Sequence, residues 1–173
     1  MGQTAEARGV AVDALDRYRG NFGVRHPLTL VAAANVAIIL RASGMTAQAR
    51  ALNEHTLDAM TDVLGPEHPY TLCVQSNLAN DLAALGDAAA ARSLAERTLA
   101  ASRRVRGDAH PYTLACAVNA AIDRQASGDA EGGRRLLDEA LVPLGEALGA
   151  EHPEVLDAQR YLRMASDIEP PPT

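Results

Sequence analysis

The sequence predicts an all-α protein of about eight helices, which form antiparallel pairs stacked into a solenoid. The first observation is a dipeptide, His-Pro, that recurs every 42 residues and begins at His26, His68, His110 and His152. The second is a set of glycines with the same interval, Gly23, Gly65, Gly107 and Gly149, and a second set at Gly44, Gly86 and Gly128. The third is the helical spacing of the apolar residues between these marks. A fixed period of this length is typical of repeat architectures.

The period divides a single domain, residues 1–173, into three full repeats and two half repeats. The full repeats are 22–63, 64–105 and 106–147. A half repeat, 4–21, precedes them, and a capping half repeat, 148–168, follows, with an extended tail at 169–173. Because the first helix aligns with the second half of a unit, the chain enters the array in the middle of a repeat. A helix without its partner leaves an apolar flank exposed, which indicates a longer array or self-association through this helix.

Each full unit contains the signals for two helices. Pro27, Pro69 and Pro111 mark the start of the first helix, because proline is tolerated where no intrahelical donor is needed. This helix runs for about four turns and ends near Gly44, Gly86 or Gly128, since glycine readily takes the left-handed C-cap conformation. Asp87 and Asp129 then cap the second helix in two of the units, and Thr46 can do so in the first.

The end of the array departs from this pattern. Gly132 and Gly133 lie inside the second helix of the third unit, at a cost of about 1 kcal/mol each. Pro143 follows in the same helix and costs ~3 kcal/mol if unrelieved, which predicts a kink and the least stable helix here. The last helix is expected at 153–168, with Arg160 and Arg163 facing solvent as an end cap.

Composition limits the partners and the compartment. Hydrophobic residues make up 47% of the chain but aromatic residues only 3%, so the core is expected to consist of Ala and Leu. A net charge of -6 argues against nucleic acid as a partner. No apolar run is long enough to span a membrane. Two cysteines provide no disulfide framework, which favours a cytoplasmic location.

The unit resembles the tetratricopeptide repeat in the 42-residue form found in kinesin light chains. The stretch that carries the resemblance is HPYTLCVQSNLANDLAALGDAAAARSLAERTL, which begins at His68. The small residues of the family pattern fall on Ala79, Gly86 and Ala91. This resemblance implies a right-handed superhelix that binds proteins without catalysis. The Lys-free repeats ending in DIEPPPT are also similar to C-terminal arrays of large actinobacterial proteins, including those of the FxSxx-COOH peptide-modification system, some with a nucleotide-binding switch domain.

No group of residues predicts an enzyme, a cofactor or a metal site. Equivalent histidines of stacked helices lie about 8–10 Å apart, too far to share one ion. They are expected to serve as residues that start helices. Cys73 and Cys116 are expected to be buried or groove-lining free thiols. No nucleophile–base set or phosphate-binding loop occurs at useful spacing.

The resemblance implies that one stripe of each first helix lines a concave groove that binds a peptide. The candidate peptide-binding residues are Asn35, Asn77, Asn119, Val31, Ile38, Arg41, Cys73, Ser76, Asn80, Val118, Ile122 and Gln125. Arg41 and Gln125 are expected at the rim. The three equivalent asparagines attract attention because a carboxamide both donates and accepts, as a peptide main chain requires. Spaced ~10 Å apart, they would meet an extended peptide at about every third residue.

Two interpretations of these asparagines remain open at this stage: they bind a ligand, or they bond neighbouring helices and fix the stacking. The leading hypothesis for function is a scaffold that holds a peptide segment of a partner protein in the groove. The alternative is an assembly or regulatory module of a larger signalling or peptide-modification protein that acts by stacking or self-association. The cluster Arg103, Arg104 and Arg106 is either a favourable helix C-terminus or a site for an anionic partner.

Overall fold

The computed structural model describes the main chain of residues 2–168 and the side chains of residues 6–168. Within that range the chain forms eight helices and no strand, which confirms the predicted all-α class. The helices are α1 (Gly2–Phe22), α2 (Pro27–Ala42), α3 (Thr46–Leu64), α4 (Pro69–Ala84), α5 (Ala88–Arg106), α6 (Pro111–Ala126), α7 (Ala130–Leu148) and α8 (Pro153–Gln159). The tail expected at 169–173 lies outside the described residues. None of the described helices has the length and hydropathy needed to cross a bilayer.

The four His-Pro pairs begin α2, α4, α6 and α8, as predicted. In each helix the proline occupies the first turn and the preceding histidine is the N-cap, with an extended backbone. The histidine Nδ1 accepts a hydrogen bond from the main-chain N–H two residues later, at 3.2–3.3 Å in all four cases. These histidines therefore satisfy helix N-terminal donors that would otherwise lack a partner.

The turn between α4 and α5 illustrates how the paired helices are joined. Gly86 has a φ of 87°, and its N–H donates to the Ala83 carbonyl at 3.0 Å, while the Asp87 N–H donates to Leu82 at 3.0 Å. This pattern is a Schellman motif. The Asp87 carboxylate then accepts from the Ala90 N–H at 3.1 Å and caps α5, and Asp129 caps α7 in the same way, as predicted. The first unit differs from the prediction, because the N-cap of α3 is Met45 and not Thr46. No side chain caps this helix with a hydrogen bond.

Consecutive helices pack against each other along the whole array, and α2, α4 and α6 also pack together. The stack is therefore tighter on the side of these first helices than on the side of α3, α5 and α7, which makes the first-helix side the concave wall. The buried core consists mainly of Ala and Leu, as composition predicted, with a smaller share of Val. Leu85 is 43% exposed because it is the C-cap of α4.

Gly132 and Gly133 have a structural role that the sequence prediction missed. A Cβ on Gly133 would lie 2.6 Å from the Ala121 carbonyl oxygen and 2.5 Å from Gln125 Cγ. A Cβ on Gly132 would lie 2.5 Å from the Asp129 carboxylate that caps the same helix. The glycines thus permit the close approach of α7 to α6 and the cap of α7, which offsets their low helix propensity.

The prediction of a last helix at 153–168 is wrong beyond Gln159, where the observed helix ends. Helix α8 ends there in the same kind of Schellman motif, in which the Tyr161 N–H donates to the Ala158 carbonyl and the Leu162 N–H donates to the Asp157 carbonyl. Tyr161 takes a left-handed φ of 60° at this point. The chain then continues without regular secondary structure through Ile168, and the main-chain groups of Met164, Ser166 and Ile168 bond side chains of the first helices.

Candidate peptide-binding groove

Three equivalent asparagines on the concave wall hold the C-terminal part of the chain, residues 163–168, which we call the groove segment. The Asn77 amide donates to the Ser166 carbonyl at 2.7 Å and accepts from the Ser166 N–H at 3.0 Å. Asn119 forms the same pair of bonds with Met164 at 2.8 and 2.9 Å. Asn35 does so with Ile168, at 3.0 Å for both bonds. Each carboxamide therefore binds the main chain of one residue as a neighbouring strand of an antiparallel sheet would.

The spacing of these contacts is two residues, so the expected spacing of three was wrong. In an extended chain the N–H and C=O of one residue point to the same side, and only every second residue faces that side. A spacing of three would turn alternate contacts away from the wall. Two residues of strand span about 6.6 Å, so the contacted residues of the segment lie closer together than the ~10 Å expected between helix axes.

The groove segment runs antiparallel to the order of the repeats. Asn35 in the first repeat binds the last residue of the segment, Ile168, and Asn119 in the third repeat binds Met164 near its start. The polarity follows from the short connection between α8, at the end of the array, and the segment that returns along the wall.

Alternate side chains of the groove segment are buried against the wall. Met164 is 3%, Ser166 1% and Ile168 2% exposed, whereas Ala165 and Asp167 are exposed. Met164 belongs to the larger apolar cluster, which also contains Val118 and Leu144. Ile168 belongs to a second apolar cluster. Burying two such side chains contributes roughly 1.5–3 kcal/mol each.

A charged residue precedes these apolar contacts. Arg163 forms an ion pair with Asp123 of α6 and donates to Asn80 Oδ1 at 2.8 Å. Asn80 in turn donates to the Met164 carbonyl at 2.8 Å, as a fourth amide on the main chain of the segment. The Asp123 side chain is fully buried, and this burial raises the pKa of its carboxyl group, while the Arg163 guanidinium acts in the opposite direction. Arg163 thus lies in the groove and not in the solvent-facing cap that the sequence suggested.

Asp81 occupies the equivalent position on α4 but has partners within the repeats. Its carboxylate accepts from Arg41 at 2.8 Å and from Asn53 at 2.6 Å. Burial raises the pKa of Asp81, and these two donors oppose the shift. Arg41, expected at the groove rim, therefore bonds Asp81 and the Asn77 carbonyl oxygen. One repeat later, the residues equivalent to Arg41 and Asn53 are Ala83 and Ala95, which leaves the charge of Asp123 to the groove segment.

The other candidate residues lie in or beside the apolar clusters, at a cavity, or between helices. Val31 and Cys73 are buried in the cluster that contains Ile168, while Val118 and Ile122 belong to or pack against the cluster of Met164. Ile38 lines a cavity of about 370 Å³ together with residues of the groove segment. Ser76 is buried and accepts a long bond, 3.5 Å, from Asn119. Gln125 lies with its Cγ against Gly133 of α7.

Sequence reasoning missed several residues of this site. Asp123, Tyr112 and the groove segment itself were not among its candidates. The Tyr112 hydroxyl donates to the Asp167 carbonyl at 2.7 Å, and the Arg106 guanidinium lies 4.8 Å from the centre of the Tyr112 ring. A usable signal was present for Asp123, because it lies four residues after Asn119 on the same face of α6, and a carboxylate on a mostly buried face needs a partner.

The basic cluster and the thiols have structural partners. Arg103 pairs with Asp108, Arg104 pairs with Glu67, and Arg106 donates to the Pro69 carbonyl at 2.8 Å. Both cysteines are buried and free. Burial raises the pKa of Cys116 to about 12 and also raises the pKa of Cys73, so both groups are neutral thiols of low reactivity.

Comparisons with known proteins agree with this architecture. Two crystal structures match with TM-scores of 0.74 and 0.72. Both show the nearly identical TPR-like repeats of a kinesin light chain from Podosopora anserina. Both are 27% identical, and each match covers 93% of this chain and 76% of the other. The crystal structure of BtubC (BKLC) from P. vanneervenii has the same fold, with a TM-score of 0.72 at 20% identity, over 88% of this chain and 60% of that one.

The sequence comparison gives the family. No curated protein sequence matches significantly. The family profile described as tetratricopeptide repeat matches residues 1–62, 35–101 and 70–141, which together span most of the chain. The resemblance to the tetratricopeptide repeat of kinesin light chains is thereby confirmed, and the fold is that of a protein–protein interaction scaffold. The chain belongs to the tetratricopeptide repeat family.

Proposed function

We propose that this chain is a non-enzymatic scaffold that holds an extended peptide segment of a partner protein in its concave groove. One observation carries the proposal: Asn35, Asn77 and Asn119 each make two hydrogen bonds to the main chain of alternate residues in one extended segment. Main-chain groups are common to all peptides, so a wall that binds them can accept a segment from another protein. We further propose a cytoplasmic location and no nucleic-acid or membrane partner.

The expected affinity is moderate. Six main-chain hydrogen bonds contribute roughly 0.5–1.5 kcal/mol each. Two apolar side chains of the ligand add about 1.5–3 kcal/mol each if they enter the two clusters that now hold Met164 and Ile168. Association costs about 4–15 kcal/mol, so the sum favours weak binding, with dissociation constants in the micromolar range or above.

The test is a backbone scan of a synthetic peptide with the sequence of residues 161–169. The protein is the full chain carrying Ser166→Pro, which removes the N–H that Asn77 accepts and so loosens the resident segment. Binding is measured by fluorescence anisotropy with the unmodified peptide and with single N-methyl analogues. Methylation at the residues equivalent to Met164, Ser166 or Ile168 is expected to weaken binding at least ~10-fold, because a hydrogen bond is lost and a methyl group faces the wall.

The same peptide supplies its own control. N-methylation at the residues equivalent to Ala165 and Asp167 is expected to change the affinity less than ~3-fold, because no wall asparagine accepts from these N–H groups. Equal losses at all five positions, or no binding of the unmodified peptide, would contradict the proposed use of the groove. Thermal melting of the Ser166→Pro chain establishes that it is folded.

The alternative function, assembly by self-association, is supported by a different part of the chain. On α1, Val10 is 66% and Val12 37% exposed. A cavity of about 210 Å³ between α1 and α2 is lined mainly by apolar side chains, including Ala11, Tyr18 and Ile39. Sedimentation velocity over a range of concentrations, with Val10→Glu as the comparison, tests this alternative. An assembly that forms in the parent chain and is lost in the variant would support it.

A further inference from the structure

The groove segment reveals which side chains the groove accepts, because its contacts differ from position to position. Asp123 faces its first residue, Arg163. The carboxylate is fully buried, and its second oxygen, Oδ2, has no hydrogen-bond partner. The repeats supply Ala83 and Ala95 where Asp81 has Arg41 and Asn53. A ligand without a cation at this position would leave a buried charge uncompensated, so the position selects for Arg.

The second and sixth positions of the segment select for large apolar side chains. Met164 and Ile168 are almost completely buried, in two separate clusters. The cluster around Ile168 includes Val31, Cys73 and Val74, and that around Met164 includes Val118. A polar side chain at either position would lose its hydration without gaining a partner.

The fourth position selects by size. Ser166 is 1% exposed, and its Oγ is buried without a hydrogen-bond partner. The hydroxyl group is therefore not what the wall recognises, and alanine should serve equally well. The third and fifth positions, Ala165 and Asp167, line the open cavity beside Ile38, Glu154 and Asp157, where side chains of many sizes can extend.

We propose that the groove is specific for an extended segment of the pattern Arg–apolar–any–small–any–apolar, and that residues 163–168 carry this pattern as a built-in competitor that a partner segment must displace. The inference rests on the proposed function, since it assumes that partner peptides bind along the same asparagines. The chain returns from the end of α8 at Gln159 to the first groove contact at Arg163 over very few residues. A short tether gives the segment an effective concentration of about millimolar, so it competes strongly with free peptides.

The specificity is tested with the full chain carrying Ser166→Pro and four synthetic peptides based on residues 161–169. Replacing the first-position Arg by Glu is expected to weaken binding at least ~10-fold. Replacing the small residue by Tyr should also weaken it at least ~10-fold, whereas replacing it by Ala should leave it within ~3-fold. Adding Asp123→Asn to the protein should reduce the difference between the Arg and Glu peptides to less than ~3-fold.

These outcomes separate the inference from the proposed function. If all four peptides bind with similar affinity, the groove binds peptides but the pattern is wrong. If none binds while the chain is folded and the resident segment is released, the proposed function fails as well. Release is measured by trypsin cleavage after Arg163, with cleavage after the exposed Arg160 as internal reference. If Ser166→Pro does not fold, Ile168→Glu is used in its place, because a carboxylate in the apolar cluster also loosens the segment and the trypsin site after Arg163 is kept.

The competition is tested by comparing the parent chain with the loosened variant. The peptide with the parental sequence is expected to bind the parent at least ~10-fold more weakly, because the resident segment must first leave. If both chains bind the peptide with equal affinity, while trypsin shows release of the segment only in the variant, the resident segment is not a competitor. A dimer of the parent that exchanges its segment between two copies, detected by sedimentation, would also overturn it, because the segment would then act between chains.

Discussion

Arg163 and Asp123 form an ion pair that joins the groove segment to α6 across 40 residues of sequence. The carboxylate is fully buried, and 21% of the arginine side chain is exposed. Breaking such a pair from one side costs more than the pair contributes, because the remaining charge stays buried. Binding of the segment to the wall therefore depends on the charge of Asp123. Substituting Arg163 alone, and then Arg163 together with Asp123, separates the effect of this charge from the effect of packing.

Arg163→Met should lower the free energy of unfolding by about 2 kcal/mol or more, since Asp123 loses its counter-charge. Adding Asp123→Asn to the same chain should restore most of the loss, because no buried charge remains. Urea unfolding of the parent, both single variants and the double variant gives the coupling energy. A double variant as unstable as Arg163→Met would mean that the arginine acts through packing.

The pH dependence of Arg163→Met provides a second check. Burial already raises the pKa of Asp123, and removing Arg163 removes a group that opposes the rise. A raised pKa means that the folded chain binds a proton more readily than the unfolded chain, so the penalty shrinks as the pH falls through the folded pKa and is gone below the unfolded pKa. The deficit of Arg163→Met relative to the parent should therefore shrink on acidification.

Asn77→Ala should free the middle of the groove segment. The variant loses both bonds to Ser166 and leaves the buried N–H and carbonyl of that residue without partners, at a cost of roughly 1–3 kcal/mol each. Trypsin cleavage after Arg163 should accelerate relative to cleavage after Arg160. Asn21→Ala is the matched control, because Asn21 is exposed on α1. Unchanged cleavage in Asn77→Ala would show that the amide contributes little to holding the segment.

The sequence predicted the fold well because every repeat carries the same local signals. The His-Pro pairs, Gly86 and Asp87 act within a few residues of their positions, and their role in starting, ending or capping helices follows from backbone geometry. The period then orders the helices. The asparagines were identified by the same regularity, since a polar residue that recurs on a mostly apolar helix face attracts attention.

The groove segment could not be predicted in the same way because it breaks the regularity. Pro153 starts α8 as the period requires, but the helix stops after seven residues, and no glycine marks the stop. Tyr161 takes the left-handed conformation at the C-cap, where the period offers no signal. What favours the extended chain beyond it is a set of contacts with Asn35, Asn77 and Asn119, which are up to 133 residues away in sequence.

Two glycines of α7 should respond in opposite ways to alanine. Gly133→Ala is expected to destabilise the chain by about 1–3 kcal/mol, because its Cβ would meet the Ala121 carbonyl oxygen, a main-chain atom that cannot move aside cheaply. Gly145→Ala should stabilise it by about 0.5–1 kcal/mol, since an added Cβ would meet no atom within 4 Å beyond the adjoining main chain of its own helix, and alanine is the better helix former. Thermal melting of both variants tests this prediction. A higher melting temperature in both would mean that α6 and α7 can separate at little cost.

Acidification should weaken the helix caps made by His68 and His110. Burial, and to a lesser extent the positive charge of Arg106, lowers the pKa of both imidazoles below the ordinary 6.5. The unfolded chain then binds protons more readily than the folded chain between the ordinary and the lowered values, so stability rises with pH through this window. The contribution is complete above the ordinary value and is lost as the pH falls, because a protonated Nδ1 cannot accept from the Tyr70 or Tyr112 N–H.

Replacing both cap histidines by asparagine should remove this part of the pH dependence. Asparagine accepts the same N-cap hydrogen bond and does not titrate. The melting temperature of the His68→Asn, His110→Asn chain should therefore fall less than that of the parent between about pH 7 and about pH 5. His55→Asn is the control, because His55 is exposed in the middle of α3 and caps no helix. If the double variant and the parent lose stability equally on acidification, the caps do not depend on neutral imidazoles, and the Nδ1 contacts at these two helix starts contribute little to folding.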